Sequence, residues 1–296
     1  MDDNVDCLVS DGDVLMVVGP EKEMIQVHSF ILRSASKAFH AMLNRQLEAL
    51  QKQHLKGDIA SKPLEIELPD DDADAMNAIF SIIHHRNDRL PDPKETPYFE
   101  IAVAADKYDL MVALQYTIQG AMGALVTDEE DVEDMPPEQM WKLAMAASYF
   151  GCGPAFRCAT RCLVLFHTDS FVQLAEVWSL DDLTSLRVSG LLEEQRGQFG
   201  RKAAKEVMRA CMLEELSHRT GSNVRENFDR LVWYCLVCSD RICGAGLEGF
   251  FDIIEAAHQH MNHLPELGSD KLGWIDRIRQ EAGLELSSPR LCHQQE

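Results

Sequence analysis

Val14, Leu15, Met16, Val17 and Val18 form an unbroken apolar run of strand length, closed by Gly19-Pro20 and a Glu-Lys-Glu turn. A run apolar on both faces predicts a buried strand. Gly-Pro before charged residues is turn chemistry. Met24-Ile25-Gln26-Val27 then reads as the return strand of a hairpin. The period next changes to that of a helix, with Phe30, Ile31, Ser34, Ala38 and Met42 as its recurring positions and Ser29 or Ser34 as N-cap. Leu64 to Leu68 alternates apolar and acidic residues, as a half-buried strand does. Asp74 to His85 follows as a helix with Met76, Ile79, Phe80 and Ile83 on one face. Leu114, Ile118, Met122 and Leu125 mark another.

Beyond residue 130 only helical periods occur. Trp141, Ala144, Met145, Ser148, Tyr149 and Cys152 form one stripe, ended by Gly151 and Gly153-Pro154. Phe156, Ala159, Leu163 and Val164 open the next helix, and Phe171, Leu174, Ala175 and Trp178 a third. A long charged helix is expected over 191–216, interrupted at Gly197 and Gly200. Further helices are expected around Phe228 to Cys235, Leu247 to Met261 and Asp270 to Ala282. Residues 44–63 look irregular after an extension of the preceding helix through Leu47, Leu50 and Leu55. Residues 127–137, with six acidic side chains in seven and a closing Pro pair, read as an interdomain linker or an exposed turn, with a docking strip for a basic partner as the alternative.

Within the first hundred residues, Asp13-Val14, His28, Leu32, Ser36 and Phe39 are spaced in a way that resembles the opening of a BTB/POZ domain. The strand Leu64 to Pro69 and the helix Glu100 to Leu110, EIAVAADKYDL, are similar to later parts of the same domain. More narrowly, Ile82 to Arg86, the AVAADKYDL phrase and the Cys238 to Cys243 tail segment resemble fungal single-BTB proteins. The expected fold is α+β: a BTB/POZ-like domain over 8–125, an acidic linker over 126–137, an all-helical domain over 138–285 and a polar tail over 286–296.

The resemblance implies a non-enzymatic protein-interaction module, associating with itself or with other BTB chains. Many members of the family recruit a cullin scaffold as substrate adaptors of a ubiquitin ligase. That role would fall on the surface from Phe39 to Leu50 and on the helix Tyr98 to Leu110. Two features depart from the pattern: only seven residues precede Leu8, where many dimeric members carry an exchanged helix and strand, and no hydrophobic-x-Glu triplet stands between Leu43 and Lys62.

Composition narrows the picture. The net charge of −21, from 28 basic and 49 acidic residues, opposes nucleic acid and anionic membrane surfaces as ligands and favours solubility or basic partner surfaces. No apolar run reaches the length of a membrane span, and the acidic start lacks the features of a secretory signal. The expectation is an intracellular protein, cytoplasmic or nuclear and not secreted. Its nine cysteines are then reduced thiols, with Cys158, Cys162 and Cys211 as apolar residues on helices.

Candidate chemistry is sparse. Cys235-x-x-Cys238-x4-Cys243, with His258, His260 and His263 downstream, could supply part of a zinc site or a thiol pair. Cys235 also lies on an apolar helical stripe, which fits a buried thiol. His28 could serve as a base, but no nucleophile stands near it in sequence; a structural role at a helix start is the alternative. His84-His85 fit a helix C-terminus, where positive charge is favourable. Asp70, Asp71, Asp72 and Asp74 lack the Gly and closing Glu of a calcium loop and fit N-cap and first-turn positions. Nucleotide-binding glycine motifs, a nucleophile elbow and a zinc-finger pair are absent, so no catalytic, cofactor or metal residue is assigned.

Overall fold

The computed structural model describes residues 5–6, 8–53, 63–127, 130–217 and 280–283. Two compact units divide the chain, residues 1–128 with 146–152 and residues 129–145 with 153–296. The fold class is α+β, with a small sheet and helices followed by further helices.

In the first unit, β2 (Val14–Val18) and β3 (Glu23–Val27) form the expected hairpin. Its turn closes with Lys22 N–H donating to Gly19 O, and Gly19 adopts a φ of 72°. That left-handed conformation explains a glycine there. β4 (Leu64–Leu68) lies parallel to β2 on the other side. The two-residue β1 (Val5–Asp6) runs parallel to β3, giving the order β1-β3-β2-β4. Val14, Met16 and Val18 are buried, while Leu15 and Val17 are half-buried, so β2 has one core face rather than two.

Helix formation after the hairpin departs from the simple periodic reading. One helix was expected to carry Phe30, Ile31, Ser34, Ala38 and Met42 inward. Two helices form instead, α1 (Ser29–Ala35) and α2 (Lys37–Gln53), separated by Ser36 in an extended conformation. The buried residues are Leu32, Ser36, Phe39 and Leu43, and Phe30 is 78 % exposed. Ser36 supplies the cap that was sought at Ser29 or Ser34: its Oγ accepts from the Phe39 amide at 3.0 Å and donates to Tyr108 O.

α3 (Ala73–Ile83) packs against α1, β3, α4 (Tyr98–Lys107) and α5 (Met111–Leu125). Its expected inward face, Met76, Ile79, Phe80 and Ile83, is buried. So are Leu114, Ile118, Met122 and Leu125 of α5.

The acidic run is not all open chain. Glu130–Glu133 forms one helical turn, α6, with Val132 fully buried and Glu133 paired with Arg161 at 3.8 Å. One apolar residue among six carboxylates is enough to seat the turn. α7 (Pro137–Phe150) contributes to both units. Leu143 to Ala147 are all buried, a wider apolar face than the single stripe predicted, because small alanines occupy the intervening positions. Gly151, with a φ of 73°, ends α7, and Cys152 N–H returns to Ala147 O at 2.8 Å.

In the second unit, α8 (Gly153–Phe166) and α9 (Phe171–Val177) appear where expected, with α8 beginning at Gly153. α10 (Asp182–Ser217) packs against both of them. It starts well before the predicted 191 and continues through Gly197 and Gly200. Glycine disfavours a helix interior by only about 1 kcal/mol relative to alanine, so flanking helix formers carry the helix across.

Candidate interaction surface

The signature residues of the sheet and first helix converge on one end of α1. Asp13, just before β2, accepts from Ser29 N–H at 2.7 Å and Ser29 Oγ at 2.5 Å. It thereby satisfies donors that a helix start leaves open. Partial burial pushes the Asp13 carboxyl up, but the hydrogen bonds from Ser29 outweigh it and hold the group below its ordinary value. His28 occupies the N-cap position without a capping side chain. Its backbone N–H donates to His84 Nε2 at 3.1 Å, and its own Nε2 lies 3.3 Å from Asp11.

His84 was expected to place positive charge at the end of α3. It does sit at that C-cap, but it is only 7 % exposed and its Nδ1 lies 2.8 Å from Phe80 O. The two contacts require Nδ1–H to donate and Nε2 to accept, which only the neutral ring does. Burial pulls its pKa down, and the charges of His28 and His85 add to that. His84 is therefore a neutral bridge between the C-terminus of α3 and the N-terminus of α1. His85 is exposed, with a φ of 59°.

The aspartate series divides similarly. Asp72 is the N-cap of α3, accepting from Ala75 N–H at 2.8 Å, and Asp74 lies in the first turn. Asp71 does something else. It is buried and accepts from Tyr108 OH at 2.6 Å and from Lys107 Nζ at 2.8 and 2.9 Å. The Tyr108 ring stacks on Phe39 at 4.6 Å, so this network ties α2, the start of α3 and the end of α4 together. Burial and then the Asp71 carboxylate push the Tyr108 hydroxyl well above its ordinary pKa. The Asp71 carboxylate is thus engaged by both Tyr108 and Lys107.

The named residues of the suggested docking helices are largely core. Phe39, Leu43, Tyr98, Phe99, Ile101, Ala102, Ala105, Tyr108 and Leu110 are buried. The exposed residues include His40, Ala41, Arg45, Gln46 and Glu48 on α2 and Val103, Asp106 and Lys107 on α4. Large apolar side chains do reach solvent in this unit: Phe30 on α1, and Val112 and Tyr116 on α5, which are 85 % and 82 % exposed. Val112 and Tyr116 are one helical turn apart and share a face. In the second unit, Val177 at the end of α9 and Leu183 and Leu186 at the start of α10 are exposed. Such side chains are the material of protein contacts.

Cys158 and Cys162 are buried one turn apart on α8, as read from the sequence. A hydrogen bond donated to Cys158, reinforced by burial, pushes the Cys162 thiol far up, so it stays protonated. Among the described residues, no group of three or more His, Cys, Asp or Glu could hold a metal ion. Cys235, Cys238, Cys243, His258, His260 and His263 lie outside the described residues. No helix among the described residues is long and apolar enough to cross a membrane.

Residues 9–117 match the family model of the BTB/POZ domain. No curated protein matches the chain.

Proposed function

With a BTB/POZ domain at residues 9–117 as the premise, we propose that the chain is a non-enzymatic scaffold that associates with itself or with other BTB chains. A BTB/POZ domain is a protein–protein interaction module. The observation that carries the reading to association is Phe30. It is a phenylalanine 78 % exposed on the first helix, beside core residues that are sealed. Exposing such a ring in a lone chain gains nothing, whereas burying it against a partner contributes roughly 1.5–3 kcal/mol. Light scattering behind a sizing column tests this. The full chain should elute at a multiple of its own mass, and Phe30→Lys should shift it toward the monomer without changing its circular dichroism. A monomeric wild-type chain over the whole accessible concentration range would overturn self-association.

Recruitment of a cullin scaffold is the narrower alternative. Its support is the domain itself and the exposed His40, Ala41 and Arg45 face of α2. Co-purification of a cullin from native cells, lost when these residues are changed, would establish it.

A further inference from the structure

β4 stands at one end of the sheet, and no described strand pairs with its outer side. The register decides which backbone groups face outward. Leu64 N–H donates to Asp13 O and Leu68 O accepts from Gly19 N–H, each at 2.9 Å. Leu64, Ile66 and Leu68 therefore turn their peptide groups toward β2. Alternate residues of a strand point theirs the opposite way, so Glu65 and Glu67 direct N–H and C=O groups away from the sheet. Both glutamates are exposed, whereas Ile66 and Leu68 are buried on the inner face.

Exposed edges are commonly blunted by a lysine, a proline or a bulge. Leu64–Leu68 contains none of these and pairs with β2 without a break in register. Its two glutamates would repel a second copy of the same strand, which argues against self-pairing here. They would attract an incoming strand with basic residues at alternate positions. Asp70, Asp72 and Asp74, all exposed just beyond the strand, and the net charge of −21 extend the same preference. On the opposite face of such a strand, apolar side chains would continue the layer of Ile66 and Leu68.

We propose that the outer edge of β4 receives an extended segment of a partner protein, alternating basic and apolar residues, as a further strand of the sheet. This rests on the reading of the chain as a protein-binding module and assigns that module a second surface, separate from Phe30. Backbone hydrogen bonds supply affinity and the alternation supplies selection.

The test uses the full chain and a short synthetic peptide alternating lysine and valine, with a glutamate–valine peptide as control. Fluorescence anisotropy should show binding of the first and not of the second. Hydrogen exchange at the Glu65 and Glu67 amides should slow when the lysine peptide is bound. Two variants separate backbone from charge. Glu67→Pro removes an outward N–H that β2 does not use, and edge strands accept proline at such positions. E65K/E67K reverses the charge. Each should weaken the lysine peptide roughly tenfold or more, and the double variant should gain affinity for the glutamate peptide. Failure of the lysine peptide to bind, binding without protection of those two amides, or binding unaffected by E65K/E67K would each overturn the proposal. Light scattering on the same samples reports self-association separately, so the edge can fail while the scaffold reading stands.

Discussion

His84 shows how much a single side chain settles. Its ring joins two helices only while neutral, so its folded pKa is lowered and protons favour the unfolded chain. The stability it contributes is fully present above the ordinary imidazole value of about 6.5 and is lost as pH falls below it, through the depressed folded value. Asp13 is also held low, so its contribution persists further into acid and is lost below the ordinary carboxylate range. Urea unfolding between neutral and mildly acidic pH should show wild type losing stability where His84→Ala does not. At neutral pH that substitution should cost about 1–3 kcal/mol, because the partly buried His28 N–H loses its acceptor. Equal slopes in the two proteins would reject this account. Tyr108→Phe should cost about 0.5–1.5 kcal/mol, since Asp71 keeps its Lys107 partner, and thermal unfolding would detect it.

Elements of this fold owe their limits to a few polar contacts. α1 and α2 are separate because Ser36 leaves the helical conformation and spends its hydroxyl on the Phe39 amide and the Tyr108 carbonyl. Ser36→Ala should destabilise the chain by about 1–2 kcal/mol, measured by chemical denaturation, with Ser36→Thr losing less. Gly151→Ala should cost about 1–2 kcal/mol because a Cβ disfavours its φ of 73°. The apolar rhythm misplaced the inward face of α1 and α2, since Phe30 and Ile31 are as apolar as Leu32. Spacing from His28 through Leu32, Ser36 and Phe39 carried the right register, and it includes a serine that no hydropathy argument would bury. Later helices were read well where alanine, leucine and methionine recur regularly, as in α5. The period is less telling where glycine suggests an interruption, as at Gly197 and Gly200, which α10 runs through.

For the whole molecule, charge sets the sign of the salt response. A net charge of −21 on each copy opposes self-association, and added salt screens that repulsion over about 10 Å at 0.1 M. Self-association followed by light scattering should therefore strengthen as ionic strength rises. Binding of a basic strand at β4 should weaken under the same titration. Opposite slopes would confirm that the two events use surfaces of different chemistry, and parallel slopes would contradict it.

Local pattern determined the hairpin, the alternating strand and the helical character of the described residues from 130 to 217, because each rests on periods within a few dozen residues, and the interaction class followed from the resemblance that the His28 to Phe39 spacing carries. Charge balance, a sum over the chain, sets only the expectation against nucleic acid and anionic membranes. Only the tertiary structure decided that His84 is a neutral bridge, that Asp71 is a buried acceptor and that Phe30 faces outward. It also decided that Glu65 and Glu67 turn their peptide groups away from β2, toward a side with no strand among the described residues. Those assignments depend on contacts such as His28 with His84 and Asp71 with Tyr108, between residues far apart in sequence. No local window contains both partners, so neither periodicity nor composition can tell a capping, buried or exposed residue from its chemically identical neighbour.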